Sequence, residues 1–120
     1  MGFLENNKVH VGDGPHARVS TADWAANANG GVHGGLIATL VDSTMGEAVR
    51  EAVDDDATVV TVQMTVTYLN GAEPGDELEA RAEVLKTSKA LALVSAEVTR
   101  VADGRDIAQA QATFAISHKD

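Results

Sequence analysis

The sequence contains no cysteine, and only 3% of its 120 residues are aromatic. The absence of cysteine excludes disulfides, thiolate nucleophiles and cysteine-ligated metal sites. Apolar residues nevertheless make up 44% of the chain, so we expect an ordered core built from Ala, Val, Leu and Ile. Because such short side chains fill a core poorly, burial against another subunit is expected to stabilise the fold.

Basic residues are also few: the chain has nine Lys and Arg but eighteen Asp and Glu, which gives a net charge of −9. This charge disfavours nucleic acid and anionic membrane surfaces as partners, because both would be repelled. The N-terminal segment lacks the basic and apolar runs of a signal peptide, and no apolar stretch approaches membrane-spanning length. We therefore expect a cytoplasmic protein. The acidic surface fits either an ordinary cytosolic protein or one from a high-salt habitat.

The length fits a single domain, residues 1–120. The first dozen residues are polar and predict a short helix or a loose segment. Helical periodicity extends from Gly34 to Val53, and alternating patterns predict strands at His16–Ala22, Thr58–Leu69, Glu77–Lys86, Ala90–Val101 and Ile107–Ile116. A strand, one long helix and four successive antiparallel strands predict an α+β architecture in which the helix covers one side of a sheet. This is the layout of the hotdog fold.

The predicted helix is amphipathic, with one charged residue out of place. Its apolar side collects Ile37, Ala38, Val41, Met45, Ala48, Val49 and Ala52. Asp42 lies beside this apolar side, where a carboxylate is costly unless it is paired or used. The pattern leaves two interpretations open, a boundary residue that is solvated or paired with an arginine, and a functional carboxylate. In the strand that follows, we expect Val60, Val62, Met64 and Val66 to share one face.

A glycine-rich loop precedes the helix, with four glycines and two asparagines between Asn27 and Gly35. Such a loop either provides backbone positions that need positive φ or presents exposed N–H groups at the positive end of a helix. N–H groups in that position can hold an oxyanion. Alone, a Gly-Gly pair at a helix start does not distinguish these two roles.

Together, the loop and the helix carboxylate resemble the signature of PaaI-type hotdog thioesterases, which include phenylacetyl-CoA and 4-hydroxybenzoyl-CoA hydrolases. The family pattern is Asn, Gly, His-Gly-Gly, and then an acidic residue about two and a half helical turns later. Asn27–Gly35 and Leu40–Asp42 contain every element at the usual spacing. The resemblance continues through Val62–Leu69, Gly75–Asp76 and Ala112–Phe114, so it covers nearly the whole chain from about residue 16.

The resemblance implies a thioesterase site, and we expect no cofactor and no metal, because His33 and Asp42 are too widely spaced to chelate one ion readily. Asp42 would be the nucleophile or the general base, and the backbone N–H of Gly34 would polarise the thioester carbonyl. Asn27 would help place the carboxylate or the water. His33 would support the loop and the thioester end of the substrate. Thr61 would occupy the position of a Ser or Thr that holds the water, and the facing subunit of a homodimer or homotetramer would complete each site.

The same resemblance implies acyl-CoA as the substrate, with CoA bound by a few basic and backbone groups. Lys86, Thr87, Ser88 and Lys89 form one locally basic turn, and with Gly35 they are our candidates for contacts to substrate or CoA. Solvated surface charge is the alternative interpretation of this turn. Three arginines are further candidates for a phosphate: Arg50, Arg81 and Arg105.

Two other functions fit the same fold. A non-catalytic acyl-CoA-binding module would keep the groove but would not need the carboxylate of Asp42. A hydratase or dehydratase would need a histidine paired with an acid in a different motif, which the sequence does not provide convincingly. The remaining histidines, His10, His16 and His118, match no catalytic constellation.

Overall fold

The computed structural model describes residues 9–11 and 16–118. Six strands form one antiparallel sheet: β1 Val9–Val11, β2 His16–Ser20, β3 Thr58–Tyr68, β4 Glu77–Thr87, β5 Leu91–Arg100 and β6 Asp106–Ser117. Their order across the sheet is β1-β2-β4-β5-β6-β3. The helix α1 spans Gly34–Ala52 and packs against one face of this sheet. The predicted hotdog architecture is therefore confirmed.

The core lies between α1 and the inner face of the sheet. The helix buries Leu36, Ile37, Leu40, Val41, Thr44, Met45, Ala48 and Val49. Full burial of each large aliphatic side chain is worth roughly 1.5–3 kcal/mol, so this stripe fixes the helix on the sheet. The sheet contributes mostly alanine and valine, as the scarcity of aromatic residues predicts, and its larger buried side chains are Leu78, Ile107, Phe114 and Ile116. Within the described ranges, no helix has the length and apolar character needed to cross a bilayer.

The prediction for the first dozen residues is wrong where the structure describes them. Val9–Val11 form a short strand that pairs with β2. Three residues are too few to give a periodic signal in the sequence. The strand forms because its backbone pairs with the edge of β2. The rest of that predicted segment lies outside the described residues.

The strand β3 contains a bulge that alters which side chains reach the helix. Its register against β6 shifts between Thr61 and Gln63, so Val62 has no partner residue. An extra residue of this kind reverses the alternation of side chains. Val60 and Val62 are consequently 57% and 61% exposed. The prediction that these two residues share a face with Met64 and Val66 is therefore wrong.

The sheet order also leaves β3 at an edge. This strand of 11 residues pairs with β6 and has no neighbour on its other side among the described residues. Strands that follow one another in the chain pair at β1–β2, β4–β5 and β5–β6, whereas β3 does not pair with β4. A long exposed edge strand is a template for pairing with another strand, and proteins rarely leave such an edge uncovered.

The outer face of the sheet holds one buried charge. The side chain of Glu79 is only 9% exposed, because Arg18 and Arg81 cover it at 2.9 Å and 3.0 Å. The hydrogen bond from Arg18, together with the charges of both arginines, lowers the pKa of Glu79, although burial opposes this shift. The carboxylate is therefore paired, as burial of a charge requires.

Candidate active site

The loop before α1 is organised by the side chain of Asn27. Its Oδ1 accepts hydrogen bonds from the backbone N–H groups of Asn29 and Gly31, at 2.9 Å and 3.0 Å. Asparagine favours such turns because its short side chain can replace a backbone acceptor. Gly30, with φ of 85°, provides the left-handed residue that this turn requires. Asn27 therefore fixes the path of the chain into the helix.

His33 is the residue from which the helix begins. Its N–H donates to the carbonyl of Ala25 at 2.8 Å, and its own carbonyl accepts from Leu36 and Ile37. The imidazole is exposed and makes no capping hydrogen bond. The support that His33 gives the loop is therefore provided by its backbone.

Gly34 is the first residue of α1, where N–H groups lack acceptors within the helix. The helix dipole adds a favourable field for an anion at this end. Gly35 follows it, and a Cβ built there would meet nothing within 4 Å. The start of the helix thus presents backbone donors beside open space.

Tyr68, at the end of β3, packs directly on Gly34. Its hydroxyl donates to the carbonyl oxygen of Gly34 at 2.7 Å. A Cβ at position 34 would lie 3.2 Å from Tyr68 Cζ and Oη, so the absence of a side chain allows this close approach. Sequence reasoning missed this contact. The sequence contains a single tyrosine, at the end of a strand, and this was the one signal that could have drawn attention to it.

Asp42 lies eight residues after Gly34, in the third turn of α1, and is half-buried between the helix and β3. Thr61 Oγ1 donates to Asp42 Oδ1 at 2.7 Å. This contact depends on the bulge at Val62, which turns Thr61 toward the helix and Val60 outward. The pairing places a hydroxyl donor on one carboxylate oxygen of a side chain that lines a cleft.

Within one chain, these residues form two separate groups. Asn27, Gly34 and Tyr68 line a groove at the start of α1, whereas Asp42 and Thr61 line a different cleft. Eight residues separate Gly34 from Asp42, which corresponds to about 12 Å along a helix. The structure therefore brings Thr61 to Asp42 but does not bring Asn27 or Gly34 of the same chain to it.

The basic turn lies at the Asp42 end of the sheet. The cross-strand partners Thr61, Phe114, Ala92 and Thr87 form one row over four strands, so Thr87 is about 14 Å from Thr61 at ordinary strand spacing.

The candidate CoA contacts in this turn do not all face the helix. Lys86 is paired with exposed Leu93 and therefore lies on the outer face of the sheet. Ser88 hydrogen-bonds with the backbone of Leu91 and closes the turn. Lys89 is exposed, and its carbonyl contacts His118.

No set of three or more His, Asp or Glu side chains in residues 9–11 and 16–118 is arranged to hold a metal ion. The two groups contain a carboxylate, a hydroxyl and backbone N–H donors.

Comparison with known proteins gives the same family as the sequence motif. A family model described as the thioesterase superfamily matches residues 29–107. Acyl-coenzyme A thioesterase 13 of Homo sapiens is 41% identical over 87 residues, which cover 72% of this chain and 61% of that protein. The chain thus spans about three fifths of the length of this curated relative.

Two solved structures share the fold. Zebrafish thioesterase superfamily member 2 has a TM-score of 0.84 and 31% identity, and the match covers 97% of this chain and 87% of that one. The PaaI protein of E. coli has a TM-score of 0.83 over 93% of this chain and 81% of that one. Its 18% identity supports the fold alone. Since the family model matches most of its length, the chain belongs to the thioesterase superfamily.

Proposed function

We propose that this chain hydrolyses acyl-CoA thioesters to the free acid and CoA, with Asp42 as the catalytic carboxylate. The observation that carries the proposal is the position of Asp42, half-buried at the helix–β3 cleft with Thr61 Oγ1 at 2.7 Å. A carboxylate held this way has one oxygen fixed by a hydrogen bond, and its side chain borders the cleft where we expect the substrate to lie. The relatives' names support the substrate class, since one of them is an acyl-coenzyme A thioesterase.

A thioester needs less assistance than an amide, because its carbonyl has weak resonance and its thiolate is a good leaving group. As general base, Asp42 would take a proton from water while the hydroxide adds to the carbonyl carbon. As nucleophile, it would form a mixed anhydride that water then opens. On both routes the C–S bond breaks, CoA leaves as the thiolate, and negative charge develops on the carbonyl oxygen.

The developing charge requires hydrogen-bond donors, and Gly34 is our candidate. Donors act at about 3 Å from the oxygen, and the attacking atom lies about 3–3.5 Å from the carbon. A separation of about 12 Å along one helix is too large for Gly34 and Asp42 of one chain to serve one thioester. Each site would therefore combine Asp42 and Thr61 of one subunit with Gly34 and Asn27 of another.

The edge strand β3 supports such an assembly. It carries Thr61 near one end and Tyr68 at the other, so pairing of two β3 strands about a two-fold axis would bring unlike ends together. Exposed Val60 and Val62 on the same strand would gain burial from a second chain. We infer a homodimer as the minimum active unit, either alone or within a homotetramer.

The remaining candidates have supporting roles. Asn27 would hold the loop through its Oδ1 and direct its Nδ2 toward the groove at the start of the helix. His33 would shape the helix start through its backbone. Gly35 would admit the substrate, because its surroundings are open. Lys89 and its turn would meet the acidic part of CoA.

Thiol release from a panel of aryl, short-, medium- and long-chain acyl-CoAs tests the activity. We expect turnover by the wild-type protein and a loss of about 10² or more in kcat for Asp42→Asn, which keeps size and removes charge. Asp54→Asn, just after the helix, is the matched control and should retain activity. Wild-type kcat in Asp42→Asn would refute the assignment, and binding without turnover in the wild type would favour a binding module.

Two further measurements refine the scheme. After a single turnover in ¹⁸O-water, label in the Asp42 carboxylate would establish the nucleophile route, because general-base catalysis places ¹⁸O only in the product acid. Light scattering should give at least twice the 12.5 kDa chain mass for the active species. A fully active species of 12.5 kDa would contradict the shared site.

A further inference from the structure

A cleft beside Asp42 continues along α1 toward the end of the helix. It is lined by Asp42, Ser43, Gly46, Glu47 and Arg50 from the helix and by Val59, Thr61 and Phe114 from the sheet. Asp42, Gly46 and Arg50 follow one another at intervals of four residues, so they stand on one face of the helix. The cleft thus has a carboxylate at one end and an arginine at the other, and Val59 and Phe114 are the apolar side chains in a lining that is otherwise largely polar.

Gly46 is the residue that keeps this cleft open. A helix interior favours alanine over glycine, and Gly46 does not have a positive φ that would require glycine. A Cβ at this position would make only ordinary contacts, at 3.6 Å to Arg50 and to Phe114. Neither backbone conformation nor packing therefore explains the glycine. Its effect is to leave a space one helical turn from Asp42.

The guanidinium of Arg50 borders this space. Two of its nitrogens lie 3.6 Å and 3.8 Å from the position of a Cβ on Gly46, so the side chain folds back along the helix toward Asp42. Its only ion pair among the described residues is with Glu47, at 3.3 Å. With side chains 57% and 39% exposed, this pair is weak and can be exchanged for a better acceptor.

We propose that Arg50 binds a carboxylate at the far end of the acyl group, so that the preferred substrates are CoA thioesters of short dicarboxylic acids. This inference rests on the proposed hydrolysis at Asp42. The guanidinium lies about one helical turn, ~5.4 Å, beyond Asp42, which suits an acyl chain of a few carbons. Val59 and Phe114 contact its methylene groups, and the planar guanidinium of Arg50 donates hydrogen bonds to both carboxylate oxygens. Glu47 moves into solvent when the substrate carboxylate replaces it.

The test compares three substrates of similar length: adipoyl-CoA, 6-hydroxyhexanoyl-CoA and hexanoyl-CoA. We expect wild-type kcat/KM to be at least about tenfold higher for adipoyl-CoA than for hexanoyl-CoA, as a charge-assisted bidentate pair provides. Arg50→Leu should abolish this preference, chiefly through a higher KM for adipoyl-CoA. Arg50→Lys should retain part of it, because the charge remains and the fork is lost.

Two glutamate variants sharpen the result. Glu47→Gln should increase the preference for adipoyl-CoA, because it removes the carboxylate that competes for Arg50. Glu51→Gln is the matched control, since it makes the same change of charge at an exposed position one turn further along the helix.

Gly46→Ala should raise Tm but reduce turnover of all three substrates, because its methyl group fills the cleft.

Several outcomes would overturn the proposal. A preference for 6-hydroxyhexanoyl-CoA over adipoyl-CoA would mean that Arg50 and Glu47 together bind a hydroxyl. Equal losses on all three substrates in Arg50→Leu, with weaker inhibition by free CoA, would assign Arg50 to a CoA phosphate. Asp42-dependent hydrolysis with no preference for any acyl end would remove the subsite and keep the proposed function. Absence of hydrolysis of every acyl-CoA would refute both.

Discussion

The two halves of the proposed site are built from different parts of the chain. The half at the start of the helix consists of backbone: the Gly34 N–H, held by a loop that Asn27 organises. The half in the middle of the helix consists of side chains, the carboxylate of Asp42 and the hydroxyl of Thr61. The backbone half should therefore be sensitive to Cβ atoms and proline, and the side-chain half to the loss of single polar atoms.

The largest effect is expected at Gly34. Gly34→Pro deletes the N–H donor and should lower kcat by roughly 10²–10³. Proline is tolerated at the first position of a helix, and His33, with φ of −56° and ψ of 131°, already has the conformation that precedes proline. Circular dichroism should therefore report an intact fold.

Gly34→Ala provides the control for this variant. Both substitutions add a Cβ that would lie 3.2 Å from Tyr68, so this contact is common to them, and only proline adds a ring and removes the donor. Alanine should be clearly milder, since Tyr68 is half exposed and can shift. Equal damage from the two variants would indicate a packing role and leave the oxyanion donor unidentified.

In the side-chain half, Thr61→Val should reduce kcat by roughly tenfold, because a hydrogen bond to a charged group is worth about 1.5–3 kcal/mol. Valine has the same shape as threonine, so packing against Phe114 should persist. Thr61→Ser keeps the hydroxyl and should retain most activity. If valine and serine behave alike, the contact at 2.7 Å with Asp42 has no catalytic part.

A smaller effect on kcat is expected at Tyr68, which lies on β3, the strand that also carries Thr61. Tyr68→Phe removes the donor to the Gly34 carbonyl and should lower kcat by about two- to fivefold, the range of one neutral hydrogen bond. If Tyr68 acts by positioning Gly34, the change should have no further effect in the Gly34→Pro background. Independent, additive losses would show that Tyr68 contributes by another route.

Glu79 lies outside both halves of the site, so a substitution there tests the stability of the fold independently of catalysis. Its pKa is lowered in the fold, chiefly by the hydrogen bond from Arg18, so its stabilising pairing is present above the unfolded pKa of about 4.3 and is lost as pH falls below it. Glu79→Gln should leave kcat unchanged and lower the free energy of unfolding at pH 7. At pH 3 the difference from wild type should shrink. Denaturant titrations at fixed protein concentration measure this, and an equal difference at both pH values would contradict the pairing.

Periodicity and motif spacing together predicted the helix, the five longer strands and the residues of the candidate site. The helix predicted from Gly34 to Val53 ends one residue earlier, at Ala52. The bulge at Val62 was not predictable, because its sequence alternates as a regular strand would and only pairing with β6 reveals the extra residue. The contact of Tyr68 with Gly34 joins residues 34 positions apart and leaves no local pattern. The roles of the site residues stay predictions.

The shared site is tested most directly by complementation between subunits. Asp42→Asn and Gly34→Pro chains with different affinity tags are co-expressed, and the mixed dimer is purified through both tags. If each site takes Asp42 from one subunit and Gly34 from the other, one site of the mixed dimer carries both changes and the other carries neither. We predict about half of wild-type kcat per dimer, although either variant alone is nearly inactive. A mixed dimer as inactive as its parents would show that Asp42 and Gly34 act within a single chain.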